Sequence, residues 1–189
     1  MENNKSFLEL KWGYFFDLMD YDKNGRWDLR DFVSFSEKLY ILYEVNHIEL
    51  DVFQFMKKSR NIFNRLLSEV TKELRYIKKE DWISFLHKTE EYSGKRYFNL
   101  LIYSISRELF DVSDQNKDGY LSELELLEIY DILGIDKDTA KEAMKFLDLD
   151  NDHRISKAEL HQGLYDFFTN PEEEFTLFGD MRLTQDQLT

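Results

Sequence analysis

A chain of 189 residues with 3 Trp, 11 Tyr, 16 Phe, one proline and seven glycines carries enough apolar mass for one large domain or two packed halves, and little room for flexible linkers. A net charge of −13 with no basic stripe argues against a nucleic-acid partner, and the absence of cysteine excludes disulfides and thiol chemistry. No run approaches the roughly 18 apolar residues of a membrane span, and no His-Glu-x-x-His, glycine-rich phosphate loop or Gly-x-Ser-x-Gly points to an enzyme.

Phe7, Leu10, Tyr14, Phe15 and Leu18 have the spacing of an amphipathic helix. It runs into Asp20-Tyr21-Asp22-Lys23-Asn24-Gly25, where oxygen-bearing side chains stand at every second position, with an acid at position 12 (Asp31). Calcium takes six to eight oxygens at about 2.3–2.6 Å, and a twelve-residue loop wraps such an ion through positions 1, 3, 5, 7, 9 and 12. The predicted ligands are Asp20, Asp22, Asn24, the Arg26 carbonyl, Asp28 and Asp31. Phe32, Phe35, Leu39 and Leu42 continue as a helix, and a long helix is expected over about 49–74.

The stretch Val70 to Asp81 has the frame of a second loop, with apolar Ile77 at position 8 and Asp81 at position 12. Positions 1, 3, 5 and 6 are Val70, Lys72, Leu74 and Arg75, none of which ligates calcium through its side chain. This loop is predicted to be structural, with Ile77 pairing Trp27 across a short β-bridge. Trp82, Ile83, Phe85 and Leu86 mark the next helix, and a junction falls around Ser93-Gly94.

Tyr97, Leu101, Ile105, Leu109 and Phe110 lead into a third loop with predicted ligands Asp114, Asn116, Asp118, the Tyr120 carbonyl, Ser122 and Glu125. Gly134 is a candidate C-cap of the helix that follows. Ala140, Ala143, Met144 and Leu147 precede the last loop, with ligands Asp148, Asp150, Asp152, the Arg154 carbonyl, Ser156 and Glu159. After Pro171, Phe175, Leu177 and Phe178 predict a tail folded back on the body.

Two positions depart from the ideal loop. Asp31 is one methylene shorter than glutamate, which predicts greater magnesium tolerance at the first site. His153 stands at position 6, where positive φ favours glycine, and is expected to be a turn residue with its imidazole in solvent. Eleven carboxylates at ligand positions account for most of the acidity, and three calcium ions would leave a charge of −7. Met1 to Lys5 lacks an apolar signal region and a myristoylation site, so the expected location is cytoplasmic.

Three intact EF-hand loops, a degenerate second one, this length and the aromatic-rich core resemble the sarcoplasmic calcium-binding protein family, with calexcitin and calerythrin. The resemblance implies an all-α monomer with four helix-loop-helix units in two pairs: residues 1–92, residues 93–170, and a packed tail over 171–189. It also implies a high-affinity calcium buffer with magnesium competing. A sensor exposing an apolar surface to a protein partner is the alternative, although five methionines beside so many rigid rings favour a fixed core. A luciferin-binding or photoprotein-like member is the remote alternative.

Overall fold

The computed structural model describes residues 2–45, 52–72, 75–91 and 94–181. His47, Leu74, Ser93 and the tail beyond Met181 lie outside them. Eight helices are described: α1 (Glu2–Met19), α2 (Leu29–Val45), α3 (Val52–Val70), α4 (Lys79–Glu91), α5 (Gly94–Ser113), α6 (Glu123–Ile132), α7 (Lys137–Leu147) and α8 (Lys157–Thr169). Short strands sit between helices: β1 (Arg26–Asp28), β2 (Tyr76–Lys78), β3 (Tyr120–Leu121) and β4 (Ile155–Ser156), then β5 (Phe175–Thr176) and β6 (Gly179–Asp180) after α8. The order is helix, strand, helix, four times over, as the all-α reading requires. The long helix predicted to residue 74 stops at Val70, where Thr71 N–H still reaches the Leu67 carbonyl at 3.2 Å.

The chain divides into two compact units, residues 12–94 and residues 95–189 with 1–11. In the first, β1 and β2 are antiparallel, with Trp27 opposite Ile77. Trp27 stacks on Phe32 at 5.5 Å and meets Trp82 edge-on at 5.7 Å. Trp82 Nε1 donates to the Trp12 carbonyl at 3.1 Å, so a fully buried indole keeps its hydrogen bond. Lys79 reaches from the start of α4 to the Asp17 carboxylate of α1 at 2.5 Å.

In the other unit, β3 and β4 pair with Leu121 opposite Ile155, both buried. α6 ends in a Schellman motif: Gly134 lies at φ 75°, its N–H bonds to Asp131 O at 3.0 Å, and Ile135 N–H bonds to Tyr130 O at 2.8 Å. Asp136 caps α7 by accepting from the N–H groups of Asp138 and Thr139. The segment after α8 forms a two-stranded hairpin, with Phe175 opposite Asp180. Its Leu177, Phe178 and Met181 are buried; Phe178 meets Phe167 of α8 edge-on at 4.9 Å, and Tyr130 of α6 donates to the Leu177 carbonyl. Of the segment's aromatic residues, Phe178 is core and Phe175 half-buried.

Candidate metal centres

Each of the three loops with ligand-type residues turns through left-handed backbone at positions 4 and 6: Lys23 (φ 55°) and Gly25 (77°), Lys117 (59°) and Gly119 (88°), Asn151 (59°) and His153 (64°). Two such residues curl the chain so that N–H groups point inward at the position-1 carboxylate. Asp20 Oδ2 accepts from Gly25 N at 2.7 Å, Asp114 Oδ2 from Gly119 N at 3.1 Å, and Asp148 Oδ2 from His153 N at 3.0 Å. His153 thus adopts the geometry its glycine counterparts adopt, with its side chain exposed.

The curl gathers side-chain oxygens. Asp20, Asp22 and Asp31 each offer an oxygen within 4.8 Å of the others, and so do Asp148, Asp150 and Asp152. The middle loop has Asn116 at position 3, and no such carboxylate triple forms there among the described residues. Asn116 Oδ1 accepts from Asp118 N at 2.8 Å, and Asp118 Oδ1 from Tyr120 N at 2.9 Å. Asn24 N–H reaches both Asp20 and Asp22 at 3.2 Å. Arg26 and Tyr120 open β1 and β3, and Arg154 directly precedes β4.

Position 12 follows the chemistry of position 9. Ser122 and Ser156 are the N-caps of α6 and α8, and each closes a capping box with the glutamate three residues on. Glu125 accepts from Gln115 N and Ser122 N, both at 2.9 Å, and from Ser122 Oγ at 2.7 Å. Glu159 accepts from Leu149 N at 2.9 Å, and from Ser156 N and Oγ at 2.8 Å. Burial opposes ionisation of Glu159, but the bonds from Ser156 together with the backbone N–H groups of Leu149 and Asp150 outweigh it and hold the carboxyl below its ordinary value.

The first loop has Asp28 at position 9 instead. Arg30 engages it through its N–H at 2.7 Å and its guanidinium at 2.9 Å, so Asp28 stands outside the carboxylate triple. Burial opposes this ion pair's effect too, yet Arg30 keeps Asp28 below the usual carboxylate range. Asp31 accepts from Asp28 N at 2.7 Å and Tyr21 N at 2.9 Å, with no hydroxyl donor. Burial raises its carboxyl above the ordinary value, against these backbone bonds and with the help of nearby Asp22.

Whether this donor set suits a cation is tested by one atom. Asp114 Oδ1 is buried with no hydrogen-bond partner. An unsatisfied buried carboxylate oxygen is costly alone and is satisfied by a divalent cation. The residues therefore fit such an ion. In the degenerate loop, Lys72 and Arg75 are exposed and Val70 ends α3, so the described residues offer it no ligand set.

Residues 107–130 match the family model described as EF hand. A search of curated proteins returns no match. Among solved structures, the calcium-loaded apo coelenterazine-binding protein of Renilla muelleri is 18% identical over 95% of this chain and 99% of that one, with a TM-score of 0.74. An amphioxus sarcoplasmic calcium-binding protein is 15% identical over 94% of this chain and 95% of that one, at 0.67. The ctenophore photoprotein berovin, all three of whose calcium-binding loops bind magnesium, is 20% identical over 84% of this chain and 87% of that one, at 0.64. Residues 107–130 thus carry the EF-hand signature, and the fold of the chain is the one seen in sarcoplasmic calcium-binding and coelenterazine-binding proteins.

Proposed function

We propose that the chain is a cytoplasmic, non-catalytic calcium buffer with three sites and magnesium competing at rest. The observation that carries the reading is the orphaned Asp114 Oδ1, in a loop that shares its backbone turns with the loops at Asp20 and Asp148. Asp20, Asp22, Asn24, Asp31 and the Arg26 carbonyl would hold the first ion, with Asp28 acting only if Arg30 lets it go. Asp114, Asn116, Asp118, Glu125 and the Tyr120 carbonyl would hold the second; Asp148, Asp150, Asp152, Glu159 and the Arg154 carbonyl the third. Ser122 and Ser156 contribute at position 9 through the capping boxes. A bound ion supplies charge neutralisation and cross-linking of each loop, with affinities of roughly 10⁻⁹–10⁻⁸ M for buffer-type hands.

A buffer is favoured over a sensor because no methionine among the described residues is exposed: Met144 and Met181 are buried, Met19 and Met56 half-buried. The test is a calcium titration of chelator-stripped protein in millimolar magnesium, with a dye reporting exposed apolar surface. Three ions bound with a flat dye signal is the expected result. A dye signal rising with calcium would overturn the buffer reading in favour of a sensor.

One atom favours a second reading. Trp27 Nε1 is buried without an acceptor in a ring cluster that includes Phe15, Phe16, Phe32 and Trp82. An enclosed aromatic ligand carrying an acceptor would satisfy it, in line with the Renilla neighbour's named ligand. Saturable quenching of tryptophan emission by coelenterazine would support this reading, and unchanged emission would dismiss it.

A further inference from the structure

We propose that Arg154 and Tyr120 form a stack that couples calcium binding at the middle and last loops. The Arg154 guanidinium carbon lies 4.0 Å from the centroid of the Tyr120 ring. These two residues occupy position 7 of their loops, the position whose carbonyl is a predicted ligand. The antiparallel pairing of β3 with β4 puts Tyr120 opposite Ser156, which brings the two position-7 side chains together across the strand pair.

The stack joins a ligand of one loop to a ligand of the other. Arg154 Nη2 pairs with Asp152 Oδ2 at 3.2 Å, and Arg154 N–H bonds to Asp152 Oδ1 at 2.9 Å. On the other side, Tyr120 N–H bonds to Asp118 Oδ1 at 2.9 Å. A line of contacts therefore runs from Asp118 through the Tyr120 backbone and ring to the Arg154 guanidinium and Asp152. With Asp152 committed to an ion, Arg154 loses its carboxylate partner and rests on the Tyr120 ring alone. The ring and its backbone are then held in place before the middle loop fills, so the second ion binds to a loop already ordered.

The other unit contains an internal control. Arg26 lies 4.6 Å from the centroid of the Tyr76 ring, again position 7 against position 7. There the partner loop has Val70 and Lys72 at ligand positions, and position 5 of the first loop is the neutral Asn24. The same stack has no second ion to communicate with, and its loss should alter the first site alone.

The inference rests on the calcium-binding reading, and the experiment separates the two. Calcium is titrated calorimetrically into the stripped full chain and into Tyr120→Leu, Tyr120→Phe, Arg154→Lys and the double variant Tyr120→Leu/Arg154→Lys. The readout is the ratio of the stepwise constants of the two loops, since mean affinity also responds to charge. A partly exposed cation–π pair predicts a ratio reduced about two- to fivefold in Tyr120→Leu. Tyr120→Phe keeps the ring and should keep the ratio of the two constants, whatever it does to the mean affinity. Arg154→Lys keeps the charge without the planar face and should lie between, with no further loss in the double variant. If leucine at 120 loosens the strand pair, visible as a lower urea midpoint of the metal-free chain, Arg154→Lys carries the decision alone. A parent chain that binds no calcium overturns the metal reading and the coupling together. Three ions bound with the ratio unchanged in Tyr120→Leu and Arg154→Lys overturns the coupling only.

Discussion

Replacing Lys11 with Met should stabilise the protein at neutral pH. Lys11 of α1 is 0% exposed; its Nζ donates to the carbonyl of Asn170, the C-cap of α8, at 2.8 Å and lies 5.2 Å from the centroid of the Phe7 ring. Burial lowers its amine from 10.5 to about 8, against the pull of Glu173 in the C-terminal segment and Asp166 on α8. At 1.36 kcal/mol per unit, holding the charge there costs about 3 kcal/mol at pH 7. Methionine fills similar space without the charge but leaves the Asn170 carbonyl short of a donor, which takes back about 1–2 kcal/mol. The net gain is about 1–2 kcal/mol, or roughly 2–8 °C in Tm for a chain of this size. The folded amine titrates below the unfolded one, so between about pH 8 and 10.5 the unfolded chain binds more protons. The parent therefore gains stability as pH rises through that window, while below pH 8 the full penalty stays. Urea unfolding of the stripped proteins at pH 7, 8, 9 and 10 should show the variant leading at pH 7 and losing that lead by pH 10. A difference independent of pH would refute the reasoning.

His153→Gly should raise the stability of the metal-free chain by about 1 kcal/mol, since left-handed backbone burdens a non-glycine residue by about 1–2 kcal/mol. Its calcium affinity in titration should stay within about twofold of the parent, because position 6 supplies no ligand atom and glycine adopts the same left-handed turn, φ 64° at His153, without strain. Asp114→Ala should lower calorimetric stoichiometry by one ion, and three ions still bound would remove the orphaned oxygen from the argument. Asp31→Glu should shift the first site toward calcium in calcium–magnesium competition, on the order of tenfold if the longer side chain completes the larger coordination sphere. An unchanged preference there would place the selectivity elsewhere in the loop.

The loops were legible in the sequence because a hard cation demands oxygen at alternate positions, and few other constraints write Asp-x-Asp-x-Asn/Asp with an acid at position 12. The pairing of Trp27 with Ile77 was legible for a related reason: the apolar position 8 survives where the ligands do not. Lys23 and Lys117 were silent, since lysine has no preference for positive φ and the loop imposes that conformation on it. Asp28 read as a ligand by its position, and only the geometry reveals that Arg30, two residues on, has taken it. That competitor was visible at the right spacing. The hairpin Phe175–Asp180 had no turn signal beyond Gly179, and the burial of Lys11 had none at all, because a lysine on an amphipathic helix reads as solvated.

What separates the first loop from the other two is position 9 acting on position 12. Serine there caps the following helix and donates a hydroxyl to the glutamate, which ties Glu125 and Glu159 to their capping boxes. With aspartate there, no hydroxyl is available, and the shorter Asp31 sits directly against Asp20 and Asp22. Burial and the Asp22 charge raise its carboxyl instead, so this loop gathers three like-charged side chains, its closing residue among them. A cation held among Asp20, Asp22 and Asp31 would relieve that repulsion. In the other two loops a serine hydroxyl competes with the ion for one oxygen of Glu125 or Glu159. A compact site with few protein oxygens suits a small ion that keeps its own waters, whereas a site closed by a longer glutamate suits a larger one. The magnesium tolerance expected of the first loop therefore rests on two residues acting together, of which the missing methylene of Asp31 is only the more visible.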